Sequence, residues 1–373
     1  MTENRRTERL ELRRAADSML AAHVADTPIR SQLMPELSIC MPSHRNLADS
    51  RQAIESAIAY CDARDAILIV SDNSGDAEKQ AWLEGLSPRL VYIDSASTSA
   101  TENMLTSLDA ASTPFVLPMG DDDQILSVPG ETAVDLASLP FDYVGVLPVS
   151  EPFSGRHGAL GRKAFSLTEE ESGERIAKYV AEARGNNSCY YSIYRRDVFV
   201  ALTHLFLEHH PTKGSYCDWA LSLALVSYGK MAHDPSTVFR YNMDNWDSAE
   251  KVADMYAGLF RNAGLPDGAE KYERLLMFLD LFVLATRAGS PLSQEQRQKV
   301  GKDVVNRMLG EFIRQVADAP ESYDGTIRHL ATMALEETNS FTQFQIGMMM
   351  ADRVQPGLKD RYVHFVKQAM GVA

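Results

Sequence analysis

The sequence has few cysteines, no long hydrophobic run and a deficit of positive charge. Its 373 residues contain four scattered cysteines, Cys40, Cys61, Cys189 and Cys217. Because none forms a C-x-x-C pair, the pattern predicts neither a zinc knuckle nor a disulfide framework, and it favours a reducing compartment. Lys and Arg number 37 against 51 Asp and Glu, for a formal net charge of -14. A negative charge of this size argues against nucleic acid as the main partner.

Long apolar segments are also missing. The residues that follow Met1 are polar and charged, which predicts no secretory signal peptide. The most apolar stretch, Leu275–Ala285, is too short to cross a bilayer and contains Asp280. We therefore expect a cytoplasmic protein, whose contact with a membrane would be peripheral and at the inner face. The hydrophobic content of 45% and the charged content of 24% predict a globular core.

The first third of the chain alternates strand and helix patterns. Four short apolar runs are typical of buried strands: Leu37–Pro42, Ala66–Val70, Arg89–Ile93 and Pro114–Pro118. Helical spacing separates them, as in Ile54, Ala57, Ile58 and Cys61 at i, i+3, i+4 and i+7. This alternation predicts right-handed βαβ crossovers and a Rossmann-like, mostly parallel sheet in an α/β fold.

The pattern changes further along the chain. Asp142–Leu147 and Cys189–Tyr194 predict two more strands that continue the sheet with mixed direction, around a charged helix near Glu169–Ala183. Strand patterns end near Ser248. We predict three parts: a helical extension over 1–34 with an amphipathic helix near Glu3–Ala25, an α/β domain over 35–247, and a helical region over 248–373.

Polar residues follow three of the predicted strands, where a parallel sheet binds its ligands. The sets are Ser43–Asn46, Asp72–Asp76 and Gly120–Asp123. Three consecutive aspartates repel one another unless a cation or hydrogen-bond donors compensate them, so Asp121–Asp123 indicates a Mg²⁺ or Mn²⁺ site. The alternatives are an acidic turn or helix cap for the aspartates and a tight turn for Asp72–Gly75.

Together these segments resemble the GT-A fold of family 2 glycosyltransferases, the inverting enzymes that use nucleotide sugars, over roughly 37–242. Five elements carry the resemblance: the opening strand Ser38–Asn46, the acidic segment Ile67–Asp76, the helical Asn103, the D-x-D element Asp121–Asp123, and the late acidic element Cys217–Trp219 with Gly229 downstream. Their order and spacing are similar to those of the family.

The chain also departs from the family pattern. Ser74–Gly75 reverses the usual Gly-Ser order, and Cys217 stands where the family commonly has Glu. No Gln-x-x-Arg-Trp signature of processive synthases follows Asp218. The absence of this signature and of a predicted membrane-spanning segment favours an enzyme that adds a single sugar over a membrane-embedded synthase.

The resemblance implies a role for each matching residue. It implies nucleotide-sugar binding by Pro42, Ser43, His44, Arg45, Asp72, Asn73, Asn103, Asp121 and Asp122, and a divalent cation, Mn²⁺ or Mg²⁺, at Asp121 and Asp123. It also implies that Asp218 is the general base that deprotonates an acceptor hydroxyl; the alternative for Asp218 is a plain helix cap. The expected partners are a nucleoside-diphosphate sugar donor and a glycan, lipid-linked or small-molecule acceptor, in glycan or polysaccharide biosynthesis.

Other interpretations remain open at this level. A nucleotidyltransferase also uses an α/β sheet with acidic metal ligands, and a non-catalytic GT-A module could bind a glycan or a partner. Met348–Met350 and the apolar stripes of the helical region fit a peripheral membrane or lipid-acceptor surface, a homodimer interface, or packing on the catalytic domain. Arg195, Arg196 and His233 fit either substrate contacts or structural pairs.

Overall fold

The computed structural model describes residues 35–372, except Thr98, Ser215, Cys217 and Asp247. The predicted extension over 1–34 and its helix lie outside the described residues. Contacts divide the chain into two compact units. Among the described residues, unit 1 takes in 35–166, 191–200 and 232–243, and unit 2 takes in 167–190, 201–231 and 244–372.

Unit 1 contains one sheet. Its strands are β1 Leu37–Ser43, β2 Ile67–Asp72, β3 Leu90–Asp94, β4 Phe115–Pro118, β5 Gln124–Ser127, β6 Tyr143–Ser154, β7 Gly158–Ala159, β8 Ile193–Arg195 and β9 Lys230–Asn242, of which the first two residues fall in unit 2. The helices between the first strands are α1 Leu47–Arg64, α2 Ala77–Leu83 and α3 Ala100–Asp109.

The strands are ordered β3-β2-β1-β4-β8-β6-β9-β5, with β7 paired to β6. β1 lies parallel to β2 and β4, and β2 lies parallel to β3. The pairs β4–β8, β6–β8, β6–β7 and β5–β9 are antiparallel. The α/β class with a parallel first half and a mixed continuation is therefore confirmed.

Helix α1 shows how the sequence builds this unit. Its cap residue Asn46 accepts a hydrogen bond from the Asp49 N–H at 3.0 Å, and the helix ends at Arg64, after which Asp65 adopts a left-handed conformation. Ile54 and Ala57, two residues of the predicted helical stripe, are fully buried in the core cluster of unit 1. Helix α1 packs mainly against β5 and also contacts β2.

Unit 2 is helical, as the sequence predicts for the residues after Ser248. Its helices are α4 Ser172–Ala183, the C-terminal part of α5 Arg196–His209, α6 Asp218–Tyr228, α7 Ala249–Asn262, α8 Glu273–Thr286, α9 Gln294–Val304, α10 Gly310–Asp318, α11 Gly325–Glu336, α12 Ser340–Val354 and α13 Leu358–Ala369. A π-helical turn at Val305–Leu309 joins α9 to α10.

The core of unit 2 forms around α8, which is buried from Leu275 to Ala285. Phe282 stacks on Phe344 of α12 with ring centroids 4.7 Å apart. Met348 and Met350 are buried in the same unit while Met349 is exposed, which favours internal packing for most of this cluster. Among the described residues, no helix combines the length and hydropathy needed to cross a membrane.

Three strand predictions needed correction. Cys189–Tyr194 is not one strand, since Ser188–Tyr190 forms a 3₁₀ turn and only Ile193 and Tyr194 lie in β8. β6 extends to Ser154, past the predicted Leu147. β5 and β9 have no counterpart in the sequence prediction, because β5 has four residues and β9 contains Pro235, which obscures a strand pattern.

Candidate active site

The adjacent carboxyl ends of β1, β2 and β4 bring the predicted polar loops together in unit 1. The register aligns Ser43 with Asp72 and Cys40 with Pro118. Pro42, opposite Ser71 near the end of β1, is half-buried. The parallel pairing therefore explains why residues far apart in sequence form one cluster.

Asp121 binds the backbone of the loop after β1. Its Oδ2 accepts hydrogen bonds from Ser43 Oγ at 2.8 Å, the His44 N–H at 2.9 Å and the Arg45 N–H at 3.0 Å, and its Oδ1 accepts from Arg45 Nε at 3.2 Å. Burial acts to raise the pKa of Asp121, but the hydrogen bonds outweigh it and lower the pKa. Asp121 is thus a buried anion compensated by four donors.

Asp122 forms an ion pair with the same arginine. Its Oδ2 lies 2.7 Å from Arg45 Nη2, and its side chain is partly exposed. Burial raises the pKa of Asp122, and the attraction of Arg45 opposes this effect. Arg45 therefore bridges Asp121 and Asp122, while the His44 ring is exposed to solvent beside them.

Asp123 is the most deeply buried of the three aspartates. Unlike Asp121 and Asp122, it forms no ion pair with Arg45. Its Oδ1 accepts from the Asn242 N–H at 2.8 Å, and its Oδ2 accepts from the Gly120 N–H at 3.3 Å. Burial raises the pKa of Asp123 to about 8. A bound cation would relieve this penalty by stabilising the ionised carboxylate.

The missing side chain at Gly120 lets the carboxylates of Asp122 and Asp123 lie close to the backbone. A Cβ atom at Gly120 would lie 2.9 Å from Asp123 Oδ2 and 3.1 Å from Asp122 Oδ1. Within the described part of the chain, no three acidic, histidine or cysteine side chains could hold a metal ion by themselves. Mg²⁺ and Mn²⁺ sites for nucleotides need only one or two carboxylates with substrate oxygens. Asp122 and Asp123 fit such a site, whereas the four contacts of Asp121 favour a structural role for it.

This geometry predicts the effect of Gly120→Ala. The new methyl group should displace both carboxylates and weaken Mn²⁺ binding in the presence of nucleotide by about 10-fold. Electron paramagnetic resonance titration of free Mn²⁺ measures this loss. Gly258→Ala is the matched control, because a Cβ at Gly258 meets nothing within 4 Å. Equal Mn²⁺ affinity in both variants would contradict a cation site at Asp122 and Asp123.

Lys79 connects the loop after β1 to the loop after β2. Its side chain is fully buried, and Nζ donates to Ser43 Oγ at 2.6 Å, to the Arg45 carbonyl at 2.7 Å and to Asp72 Oδ1 at 3.0 Å. Asp72 also accepts from the Ser74 N–H at 3.1 Å. One lysine therefore fixes the loop after β1 and the loop after β2 relative to each other.

Two asparagines form a second link between β1, β2 and α3. Asn103 Nδ2 donates to the Ser43 carbonyl at 3.1 Å and to Asn73 Oδ1 at 3.2 Å, and its Oδ1 accepts from Ser71 Oγ at 2.6 Å. Asn73 Nδ2 donates to the Ser97 carbonyl at 2.8 Å. Asn103 is buried, so its contacts position the loops.

Asp218 belongs to unit 2, where it is the first residue of α6. Its Oδ2 accepts from Asn187 Nδ2 at 3.0 Å, and its Oδ1 accepts from the Trp219 N–H at 2.7 Å. Tyr179 OH donates to Asn187 Oδ1 at 2.8 Å and so fixes the amide. Burial raises the pKa of Asp218 to about 6, a value suited to accepting a proton near neutral pH.

Arg195, Arg196 and His233, whose roles the sequence does not decide, contact backbone carbonyls within the protein. Arg195 Nε donates to the Tyr143 carbonyl at 2.7 Å, and Arg196 Nη1 donates to the Ala111 carbonyl at 2.6 Å. His233 Nδ1 lies 3.0 Å from the Leu147 carbonyl. These contacts favour a structural role for all three side chains.

Sequence reasoning missed Lys79 and the Asn242 N–H. A lysine in the charged segment Ala77–Gln80 suggests a solvated helix face, and only its position one turn after the strand-end loop hints at burial. The contact of Asn242 comes from the backbone, so no side-chain pattern could indicate it.

Residues 38–202 match the model of glycosyl transferase family 2. These residues form a family 2 glycosyl transferase domain. The family match and the strand order confirm the predicted GT-A class. The matched range includes every predicted nucleotide-sugar and metal residue of this glycosyl transferase domain, but it ends before Asp218.

Two proteins of known structure match this chain with low similarity. TarS 1–349 from S. aureus has 13% identity and a TM-score of 0.37, and the match covers 85% of this chain and 92% of that chain. The TarS 1–349 complex with UDP-GlcNAc has 14% identity and a TM-score of 0.36, with the same coverage. Mannosyltransferase PcManGT from Pyrobaculum calidifontis, in complex with GDP-Man and Mn²⁺, has 12% identity and a TM-score of 0.39 and covers 96% of this chain and 98% of that chain. No curated protein matched the chain.

Proposed function

We propose that this protein is a metal-dependent, inverting glycosyltransferase that transfers one sugar from a nucleoside-diphosphate sugar to an acceptor hydroxyl, in glycan or polysaccharide biosynthesis. The observation that carries the proposal is the convergence of Ser43, Arg45, Asp72 and the three aspartates at the carboxyl edge of a family 2 domain.

The donor would bind at this edge. Lys79 and Asn103 hold the loops after β1 and β2, so the backbone and side chains of 42–45 and 72–73 are pre-organised for a nucleoside. Asp121 fixes Arg45. The Arg45 guanidinium, partly exposed between two carboxylates, could then meet a substrate phosphate.

Asp122 and Asp123 would hold the divalent cation, and both carboxylates lie close to the backbone of Gly120. The cation supplies Lewis-acid stabilisation of charge on the departing diphosphate when bound. The side chains contribute two carboxylates, Asp122 and Asp123, whose pKa values are raised because burial disfavours the charged form. This assignment places Asp121 behind the cation ligands as the anchor of the loop after β1.

Asp218 would act as the general base. A carboxylate with a pKa of about 6 is largely ionised at pH 7.5 and can still accept a proton from an acceptor hydroxyl as that hydroxyl attacks the anomeric carbon. Attack from the face opposite the leaving group gives inversion. The hydrogen bonds from Asn187 and Trp219 orient the carboxylate.

Release of nucleoside diphosphate from a panel of nucleotide sugars tests the proposal. With Mn²⁺ we expect one donor to be consumed, either by transfer or by slow hydrolysis, and we expect chelator to stop the reaction. Asp123→Asn should reduce the rate by about 100-fold or more, since an amide stabilises the cation poorly. Nuclear magnetic resonance of the released sugar gives the anomeric configuration.

Asp62→Asn is the matched control, because Asp62 is an exposed aspartate on α1. Asp123→Asn should fold, since it removes a charge that burial disfavours. Turnover that is independent of metal, or equal in Asp123→Asn and Asp62→Asn, would contradict the metal assignment. Release of pyrophosphate in place of nucleoside diphosphate would indicate a nucleotidyltransferase.

A further inference from the structure

A buried carboxylate in unit 1 holds two arginines that the proposed chemistry does not use. Glu151 on β6 is nearly fully buried, with 2% of its side chain exposed. Its Oε2 accepts from Arg162 Nε at 2.6 Å, and its Oε1 accepts from Arg240 Nε at 2.7 Å. Burial acts to raise the pKa of Glu151, but the two arginines outweigh it and lower the pKa. The carboxylate is therefore ionised, and the triad carries one net positive charge.

The guanidinium groups remain accessible to solvent. The side chain of Arg162 is 65% exposed and that of Arg240 is 38% exposed. Each contact to Glu151 uses Nε, and a guanidinium has further N–H donors on its two Nη atoms. Two arginines fixed at Nε can offer paired donors to an anion with little loss of side-chain entropy on binding.

The surrounding sequence is basic in an acidic protein. No Asp or Glu occurs between Glu151 and Glu169, whereas this segment contains Arg156, His157, Arg162 and the buried Lys163. Arg156 and His157 are exposed on the turn between β6 and β7. A local excess of positive charge in a chain of net charge -14 indicates a surface that attracts an anion.

The arginines lie beside the aspartate loop. Arg240 on β9 pairs with Gln124 on β5, the residue that follows Asp123. Two residues further along β9, the Asn242 N–H binds Asp123 Oδ1. The Met243 N–H donates to the Phe153 carbonyl at 2.7 Å, which joins the end of β9 to β6. An anion on the arginines would thus bind next to the loop that holds Asp122 and Asp123.

We propose that Arg162 and Arg240, held by Glu151, form an oxyanion site that binds a phosphate group of a substrate. Guanidinium groups match the geometry of phosphate oxygens. The phosphate comes either from the diphosphate of the donor or from a phosphate on the acceptor. The assignment of that phosphate to a substrate rests on the proposed transferase function, whereas anion binding itself does not.

Calorimetric titration with inorganic pyrophosphate, in the presence of chelator, tests the site without the cation. Wild type should bind pyrophosphate, and Arg162→Gln and Arg240→Gln should each weaken binding by about 10-fold. Arg89→Gln is the matched control. Arg89 also lies in unit 1 and pairs with a carboxylate, that of Asp65, but it stands directly before β3, away from Glu151 in the sequence. No binding by wild type, or equal binding by the folded variants, overturns the proposal.

Titration of the same variants with UDP, GDP, CDP and ADP, each with Mn²⁺, identifies the source of the phosphate. Weaker nucleotide binding in both arginine variants assigns the site to the donor. Unchanged nucleotide binding together with weaker pyrophosphate binding assigns it to the acceptor. If no nucleotide binds to wild type, the transferase function fails while the pyrophosphate result still decides the oxyanion site. Circular dichroism shows whether each variant is folded. If Arg240→Gln does not fold, pyrophosphate binding by Arg162→Gln tests the proposal, because the Arg162 side chain is mostly exposed.

Discussion

Asp218→Asn should reduce sugar transfer by about 10²–10⁴-fold and leave nucleotide affinity unchanged, because a general base acts only in the chemical step. The asparagine can still accept the Trp219 N–H and removes a charge that burial disfavours. We therefore expect the variant to fold. Release of nucleoside diphosphate and calorimetric affinity, measured on the same preparation, separate the two effects.

The pH dependence of wild type gives a second test of Asp218. The ionised carboxylate is the active form of a base, and its pKa is about 6. The rate should therefore fall as pH decreases through about 6. Stability should change in the opposite direction. Because the folded-state pKa lies above the ordinary value of 3.8, ionisation of Asp218 destabilises the fold as pH rises from about 4 to about 6.

Asp324→Asn is the matched control for Asp218→Asn. Asp324 caps α11 in the same unit by accepting the Thr326 and Ile327 N–H groups. If Asp218 only caps its helix, the two variants should lose similar stability, and neither should lose turnover. A transfer rate of Asp218→Asn within a few-fold of wild type would contradict the assignment of the base.

Lys79→Met should lower the free energy of unfolding by about 3–5 kcal/mol, because it leaves the buried Asp72 carboxylate without its cation. Methionine fills the volume of the lysine stem but donates to none of Ser43, Arg45 and Asp72. Denaturant unfolding followed by circular dichroism measures the loss. Nucleotide affinity should fall as well, because the loops after β1 and β2 lose their shared contact.

Two companion variants separate charge burial from packing. Asp72→Asn combined with Lys79→Met removes both charges and should recover part of the lost stability. Arg89→Met breaks the partly exposed pair with Asp65 and should cost less than about 1 kcal/mol. A loss for Lys79→Met as small as that for Arg89→Met would show that Lys79 does not compensate a buried charge.

The sheet could be predicted where apolar runs are short, buried and separated by helical spacing. β1, β2 and β4 satisfy this condition and lie close to their predicted bounds. β9 does not, because Pro235 and charged residues interrupt its pattern, and the edge pairing with β5 depends on the tertiary fold. The 3₁₀ turn at Ser188–Tyr190 ends in Tyr190, an aromatic residue that favours strands, so tertiary contacts override its local preference there.

The site could be predicted as a cluster but not as a set of individual roles. Parallel pairing brings Ser43 and Asp121 into contact, as the positions after the strands indicate. Three adjacent aspartates look equivalent in sequence, yet Asp121 binds four donors while Asp122 and Asp123 face Gly120. Lys79 has no motif to mark it. Such differences arise from side-chain direction and burial, which only the folded chain defines.

Calorimetric titration with UDP, GDP, CDP and ADP, each with Mn²⁺ and with chelator, tests the central claim that the loop Gly120–Asp123 holds a cation and a nucleoside diphosphate. We predict that one diphosphate binds with Mn²⁺, that chelator weakens its binding by at least about 10-fold, and that Asp123→Asn has the same effect. Absence of binding across the panel, in protein shown to be folded, would contradict the claim and leave Asp121–Asp123 as an acidic turn.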